Sequence, residues 1–186
     1  TGLGGVLRDT MGTGLGAKKK YALINREGKI KIRGFELVRR DWSPVAKKTQ
    51  RKLLQILLET GDVKAAVAMA RAVVEELKSG KTPMDDLVIL TQLRKKTSAY
   101  VVASPELAAA QKARKAGMKI PENSLIGYVI TRSGKTISEK ATVREHATDY
   151  DPDYYINNQV LPAVLKLLGA FGYDAEELKA SGRQSK

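Results

Sequence analysis

Apolar residues recur at helical spacing from Val45 through Leu53, Leu54 and Leu57, and Ile56 and Leu58 widen the stripe. That pattern predicts an amphipathic helix with one face turned to a core. Ser43-Pro44 marks its start, because serine is a favoured N-cap and proline suits the first helical position. Glu59-Thr60-Gly61-Asp62 ends the helix and caps a second one over Val63–Leu77. Its apolar face carries Val67, Ala70, Val73, Val74 and Leu77. Two helices on a short glycine-containing joint predict an antiparallel pair.

The pattern elsewhere alternates with shorter runs. Tyr21–Asn25 and Lys29–Leu37 read as the two strands of a hairpin, with Arg26-Glu27-Gly28 as the turn. Leu87–Leu90 reads as a short buried strand, and Leu125–Thr131 as another, closed by Arg132-Ser133-Gly134. Ser104-Pro105 opens a third helix that runs through Gly117. Asp151-Pro152 opens a fourth from Asp153 to about Phe171, where Gly172 stops it. Residues 174–180 read as a short terminal helix. Residues 1–17 are rich in glycine and read as loop. There is no internal repeat. The expected fold is α+β: a β-hairpin followed by a helix-rich lobe.

Composition narrows the chemistry. The 186 residues include no cysteine and one histidine, His146. Disulfides, thiol nucleophiles and thiolate metal sites are therefore excluded, and a multi-histidine zinc site cannot be built from this chain alone. Neither a membrane span nor a signal segment is legible, which sets a cytoplasmic expectation. The formal net charge is +13. It is uneven: residues 1–60 hold 14 basic and 5 acidic side chains, whereas residues 147–186 hold 4 and 6. A concentrated positive region points to a polyanionic partner, most often nucleic acid.

Two motifs fail on inspection. Gly12-Thr13-Gly14-Leu15-Gly16-Ala17-Lys18 has the look of a phosphate loop, but Ala17 precedes the lysine and Lys19 follows it, where glycine and Ser/Thr are required. Asp149, Asp151 and Asp153 are spaced like the start of an EF-hand, yet Tyr154 and Val160 occupy the positions of its glycine and glutamate. Asp151 is better read as a helix cap. His146 beside Glu145 reads as structural.

Lys18-Lys19-Lys20-Tyr21 heads a predicted strand. Alternation would put Lys19 and Tyr21 on one face and Lys18 and Lys20 on the other. Ammonium groups suit phosphate oxygens, and tyrosine adds an apolar plate with a hydrogen-bonding tip. Arg33, Arg39 and Arg40 extend the basic stretch on or after the partner strand. In isolation, a solvated lysine run would read the same way.

These residues also carry a resemblance. Lys18-Lys19-Lys20-Tyr21-Ala22-Leu23, Gly28-Lys29 and Arg33-Gly34-Phe35-Glu36-Leu37-Val38-Arg39-Arg40-Asp41-Trp42 resemble the end of the palm domain in archaeal family B DNA polymerases. Leu125–Ile130 is similar to a strand of the family's thumb, and Asp151–Val164 to its last long helix. The resemblance runs from about residue 17 to 178. It implies a palm-end hairpin over 17–42, a thumb domain over 43–180, a flexible lead over 1–16 and a tail over 181–186.

The resemblance further implies that Lys18, Lys19 and Tyr21 contact DNA near the primer end, with Arg39 and Arg40 near primer-strand phosphates; Lys20 and Arg33 join the DNA-binding set as part of the same basic stretch. Gln92, Arg94, Lys95 and Lys96 fall in a thumb segment near the duplex. Tyr154, Asn157 and Asn158 match family positions whose role is less defined. The two metal-binding aspartate motifs of the family, the fingers helix and the exonuclease carboxylates are absent from this sequence. The chain alone is therefore expected not to polymerise DNA. Two Mg ions are expected in a larger polypeptide with exonuclease, fingers and catalytic palm, and this chain is read as the small subunit of a split polymerase, with a C-terminal fragment of an undivided polymerase as the other explanation. A sliding clamp is a further candidate partner, reached through an extension beyond Lys186. A stand-alone double-stranded nucleic-acid-binding module is the alternative reading.

Overall fold

A computed structural model of the protein describes residues 6–8, 21–24, 30–33, 42–94 and 104–180. Its first unit is a three-stranded antiparallel sheet of β1 (Val6–Arg8), β2 (Tyr21–Ile24) and β3 (Ile30–Arg33), in that order. The expected hairpin is present as β2 and β3, with Tyr21 opposite Arg33 and Ile24 opposite Ile30. Its turn at 25–29 and the remainder of the second strand, 34–37, lie outside the described residues. β1 corrects the loop reading of residues 1–17: Val6 pairs with Leu23 and Arg8 with Tyr21. Three residues between glycines are too few to show a period of two, and their strand geometry comes from pairing with the open edge of β2.

α1 (Pro44–Thr60) and α2 (Val63–Lys78) form the expected antiparallel pair. Asp62 caps α2 as predicted, its carboxylate accepting from the Ala65 N–H at 3.1 Å. Ser43 behaves differently. Its backbone is extended, as an N-cap's should be, but its side chain makes no cap bond to α1. The hydroxyl is instead directed to Gln159, 116 residues away.

A second antiparallel sheet contains β4 (Ile89–Gln92), β5 (Leu125–Ile130) and β6 (Ala141–Val143), in that order. β4 begins two residues later than the sequence suggested. Leu87 is fully buried, as expected, but it closes a 3-10 turn at Met84–Asp86. β6 and the one-turn α4 (Ile137–Lys140) were not anticipated. α3 (Pro105–Lys115) packs across β6 and β5. Gly127 of β5 allows a close approach: a Cβ there would lie 2.7 Å from Val88 Cγ1 and 3.3 Å from Leu90 Cδ2.

The fourth predicted helix is continuous in path but not in winding. α5 (Pro152–Tyr154) leads into a π segment, Tyr155–Val160, then α6 (Leu161–Leu168) and a 3-10 turn at Gly169–Phe171. Gly172, with φ of 86°, stops it as expected. The π segment has a sequence cause. Buried positions fall at Tyr155, Gln159, Ala163 and Leu167, and in parallel at Ile156, Val160, Val164 and Leu168. Steps of four overrun a 3.6-residue turn by about 40° each, so a wider turn keeps the stripe facing the core. Pro162 adds a second reason, since it cannot donate a helical hydrogen bond and crowds the preceding turn. α7 (Ala175–Lys179) is capped by Asp174 and ends the described chain.

One apolar core joins these elements, from Val45, Leu53 and Leu57 on α1 to Ile126 and Ile130 on β5 and Val164 and Leu168 on α6. Tyr155 is its polar rivet. The ring is fully buried, and its hydroxyl accepts from the Ile130 N–H at 3.0 Å and donates to the Leu87 carbonyl at 2.7 Å. Tyr150 and Tyr154 meet it edge to face, with ring centroids 6.1 and 5.1 Å away. Tyr150 also donates to the Leu77 carbonyl at 2.8 Å, at the end of α2.

Candidate nucleic-acid interface

The best-defined part of the predicted interface is the end of β4. Gln92 closes the strand opposite Leu125. Its amide Nε2 donates to the Asn123 carbonyl at 3.3 Å, and the Leu93 N–H donates to the Ser124 carbonyl at 2.8 Å. Asn123 holds a positive φ of 61°, and Ser124 Oγ donates to the Pro121 carbonyl at 2.7 Å. Leu93 is buried, while Gln92 and Arg94 are exposed. The braced turn and the buried Leu93 thus send Arg94 outward from a fixed strand end. On the same sheet face, Leu90 is 50% and Leu125 65% exposed. Lys95 and Lys96 lie outside the described residues.

The remaining candidates belong to the other sheet. Tyr21 and Arg33 are directly opposite each other across β2 and β3, so the structure brings these two together. Lys18, Lys19, Lys20, Arg39 and Arg40 lie outside the described residues. β2 also lies against α1, which places the first sheet beside the helical body. Tyr154 packs on Tyr155, and its hydroxyl accepts from Gln159 Nε2 at 3.2 Å. Asn157 and Asn158 are exposed.

Much of the positive charge has a structural task. Arg71 Nε donates to the Glu177 carbonyl at 3.0 Å and Lys78 Nζ to the Lys179 carbonyl at 3.0 Å, both fastening α7 to α2. Arg114 holds the Ile120 carbonyl through two nitrogens, at 3.1 and 2.8 Å. Lys112 bridges to the Glu139 carbonyl at 2.6 Å, and partial burial lowers its pKa against the raising field of the Glu139 carboxylate. Glu139 itself accepts from the Lys135 and Thr136 N–H groups, which hold its carboxyl below the usual range. A polar cleft of about 430 Å³ is lined by Lys78, Arg132, Lys140, Asp151, Pro152 and Asp153. Its cations are likewise engaged, Lys140 with Asp151 at 2.7 Å and Arg132 with the Tyr150 carbonyl at 3.3 Å. Sequence reading missed these assignments because they depend on which carbonyl ends meet in the fold. Arg132 and Lys135, exposed beyond the other end of β5, were also not nominated; the cations of the closing loop were the available signal.

The sequence profile of DNA polymerase family B matches residues 14–171, which run through the second and third strands, both long N-terminal helices and the whole second sheet to the end of α6. The chain belongs to DNA polymerase family B. A DNA polymerase from Thermococcus aggregans is 44% identical over 88% of this chain, which corresponds to 9% of that polymerase. A DNA polymerase from Methanocaldococcus jannaschii is 41% identical over 90% of the chain and 10% of its own length. One from Pyrococcus glycovorans is 43% identical over 87% of the chain and 21% of its length. The chain therefore spans about a tenth to a fifth of these curated relatives. The solved family B DNA polymerase of the hyperthermophilic archaeon Pyrobaculum calidifontis superimposes with a TM-score of 0.73 and 34% identity, over 91% of this chain and 22% of that one. The α+β expectation and the family resemblance both stand on these findings. Among the described residues, no three His, Cys, Asp or Glu side chains gather where they could hold a metal ion. No helix among them is long and apolar enough to cross a membrane.

Proposed function

We propose that this chain is the palm-end and thumb portion of a DNA-directed DNA polymerase. It grips the primer–template duplex during replication in the cytoplasm, while the catalytic aspartates and two Mg ions are supplied by the larger remainder of the polymerase. The observation that carries this reading is the family match over residues 14–171, from β2 and β3 through the helices to the whole second sheet and α6. The strand end at Gln92–Arg94 supplies exposed polar and cationic positions for phosphates and groove edges, and Tyr21 and Arg33, opposite each other in register, belong to the same proposed contact set. Lys18, Lys19, Lys20, Arg39, Arg40, Lys95 and Lys96 complete the proposed contact set.

Extension assays on the chain alone, and on the chain with a polypeptide carrying both aspartate motifs, test the proposal. Extension should require both, and binding should favour a primer–template junction over plain duplex. With roughly 5 phosphate contacts, log K should fall against log salt with a slope of about −4 to −5. Lys19→Ala should weaken binding and extension by ~1–2 kcal/mol, about 5- to 30-fold. Equal affinity for junction and plain duplex would instead favour a stand-alone duplex-binding module. Co-purification identifies whether the remainder is a separate polypeptide, and whether a sliding clamp accompanies it.

A further inference from the structure

Trp42 and Ser43 are where the chain passes from the palm-end segment into α1. Both are buried. The Ser43 N–H and its Oγ–H both donate to one atom, Gln159 Oε1, at 3.0 and 2.9 Å. The other end of that amide, Nε2, donates to the Tyr154 hydroxyl at 3.2 Å. Trp42 packs with Ala46 and Ala163. One turn further along α1, Gln50 Nε2 donates to the Ala163 carbonyl at 2.8 Å. The entry to α1 is thus tied, residue by residue, to the junction of the π segment and α6.

The chemistry of this tie is directional rather than merely cohesive. Apolar contacts between α1 and α6 would hold the helices together from many angles. A single oxygen accepting two donors of one residue fixes the heading of the backbone at that residue. The serine could have capped its own helix, which is the commoner use of the residue at that position. It does not; α1 has no side-chain cap. The π segment contributes the alignment. The Leu161 N–H reaches back to the Ile156 carbonyl, a five-residue step. The widened turn lets Gln159 face inward together with Tyr155 and Ala163. π segments inside α-helices are frequent at functional positions.

We propose that Gln159 is a positioning residue: by clamping Ser43 it sets the angle at which the thumb leaves the palm end, and hence how it meets the duplex. This rests on the thumb reading above. In the assembled polymerase, Gln159→Met keeps the side-chain length and removes both hydrogen-bonding ends. It should raise the primer–template Kd about 3- to 10-fold and shorten the product added per binding event by at least about 3-fold. The single-turnover incorporation rate on saturating DNA should stay within about 2-fold, because the reacting groups are elsewhere. Gln159→Glu, whose carboxylate still accepts from both Ser43 donors, should restore at least half of each loss. Ser43→Ala, which removes one donor, should fall between wild type and Gln159→Met, and it serves as the readout if the Met variant does not fold.

A folded Gln159→Met polymerase with wild-type Kd and product length overturns the proposal. So does an equal loss in a Gly127→Ala control matched for thermal stability, which would make the effect one of general destabilisation. If the wild-type assembly shows no primer–template preference, the thumb reading itself fails and the positioning role falls with it.

Discussion

Removing one oxygen atom, by Tyr155→Phe, tests the account of how the core is held. The ring is fully buried and stays in place, so the change opens almost no cavity. What it removes is a hydroxyl that serves two backbone groups at once, the Ile130 N–H at 3.0 Å and the Leu87 carbonyl at 2.7 Å. Each buried polar group left without a partner costs about 1–3 kcal/mol. Two such groups, with some relaxation, give an expected loss of about 2–4 kcal/mol. For a chain of this size each kcal/mol lowers the Tm by about 2–4 °C, so the midpoint should fall by about 5–15 °C. Tyr150→Phe is the internal comparison. It loses a single bond, to the Leu77 carbonyl at 2.8 Å, and should cost about half as much.

The same residue predicts an alkaline signature. Burial pushes the Tyr155 phenol far above its ordinary range, and the Ile130 hydrogen bond only partly opposes this. The folded phenol therefore keeps its proton while the unfolded one releases it above pH ~10. Tyr155 contributes stability that is complete below that pH and is lost as the pH rises, at up to about 1.4 kcal/mol per unit. The gap between wild type and Tyr155→Phe should consequently narrow above pH ~10. Urea unfolding followed by circular dichroism at pH 7.5 and at pH 11 measures both effects. A Tyr155→Phe variant within ~0.5 kcal/mol of wild type, or no worse than Tyr150→Phe, would refute the two-bond assignment.

Two further substitutions probe the second sheet and the last helix. Gly127→Ala forces a methyl to 2.7 Å from Val88 Cγ1, and the resulting overpacking should cost about 1–3 kcal/mol in the same unfolding assay. Asp151→Ala removes both the cap on the Asp153 N–H and the partner of Lys140, a pair only 24% and 13% exposed. Its expected cost is ~1–2 kcal/mol, with a weak salt dependence because the pair is largely shielded from solvent.

The elements that proved legible are those whose signals are local. α1, α2 and α3 each carry a boundary residue and an apolar stripe long enough to display its period, and α7, only five residues long, is marked by its Asp174 cap. β5 is six residues and reads directly as a strand. β1 and β6 have three residues each, too few to show alternation, and they exist because a neighbouring strand offers an edge. The displaced start of β4 has a similar origin. Leu87 looks like strand because it is buried, yet its carbonyl is taken by Tyr155 rather than by a sheet partner. Within the proposed interface, the family resemblance pointed to Gln92 and Arg94, and the fold adds the braced Asn123 turn that fixes the strand end they occupy. The Ser43–Gln159 clamp was not legible. Its two members are 116 residues apart, and serine before proline already had a sufficient local explanation as a cap.

Trp42 gives the clamp an optical consequence. It is the only tryptophan in the sequence. Its indole is 6% exposed, wedged against Ala46 and Ala163 at the seam between the entry of α1 and the last long helix. The molecule thus carries its own fluorophore at that seam. Emission from that ring is sensitive to wetting and to the polarity of the seam, and other residues are silent at its excitation edge. Motion of α1 and the last long helix together as one body would leave the spectrum blue, whereas peeling of α1 from the helix behind it would turn it red. The two kinds of motion are distinguishable by colour, without attaching a label.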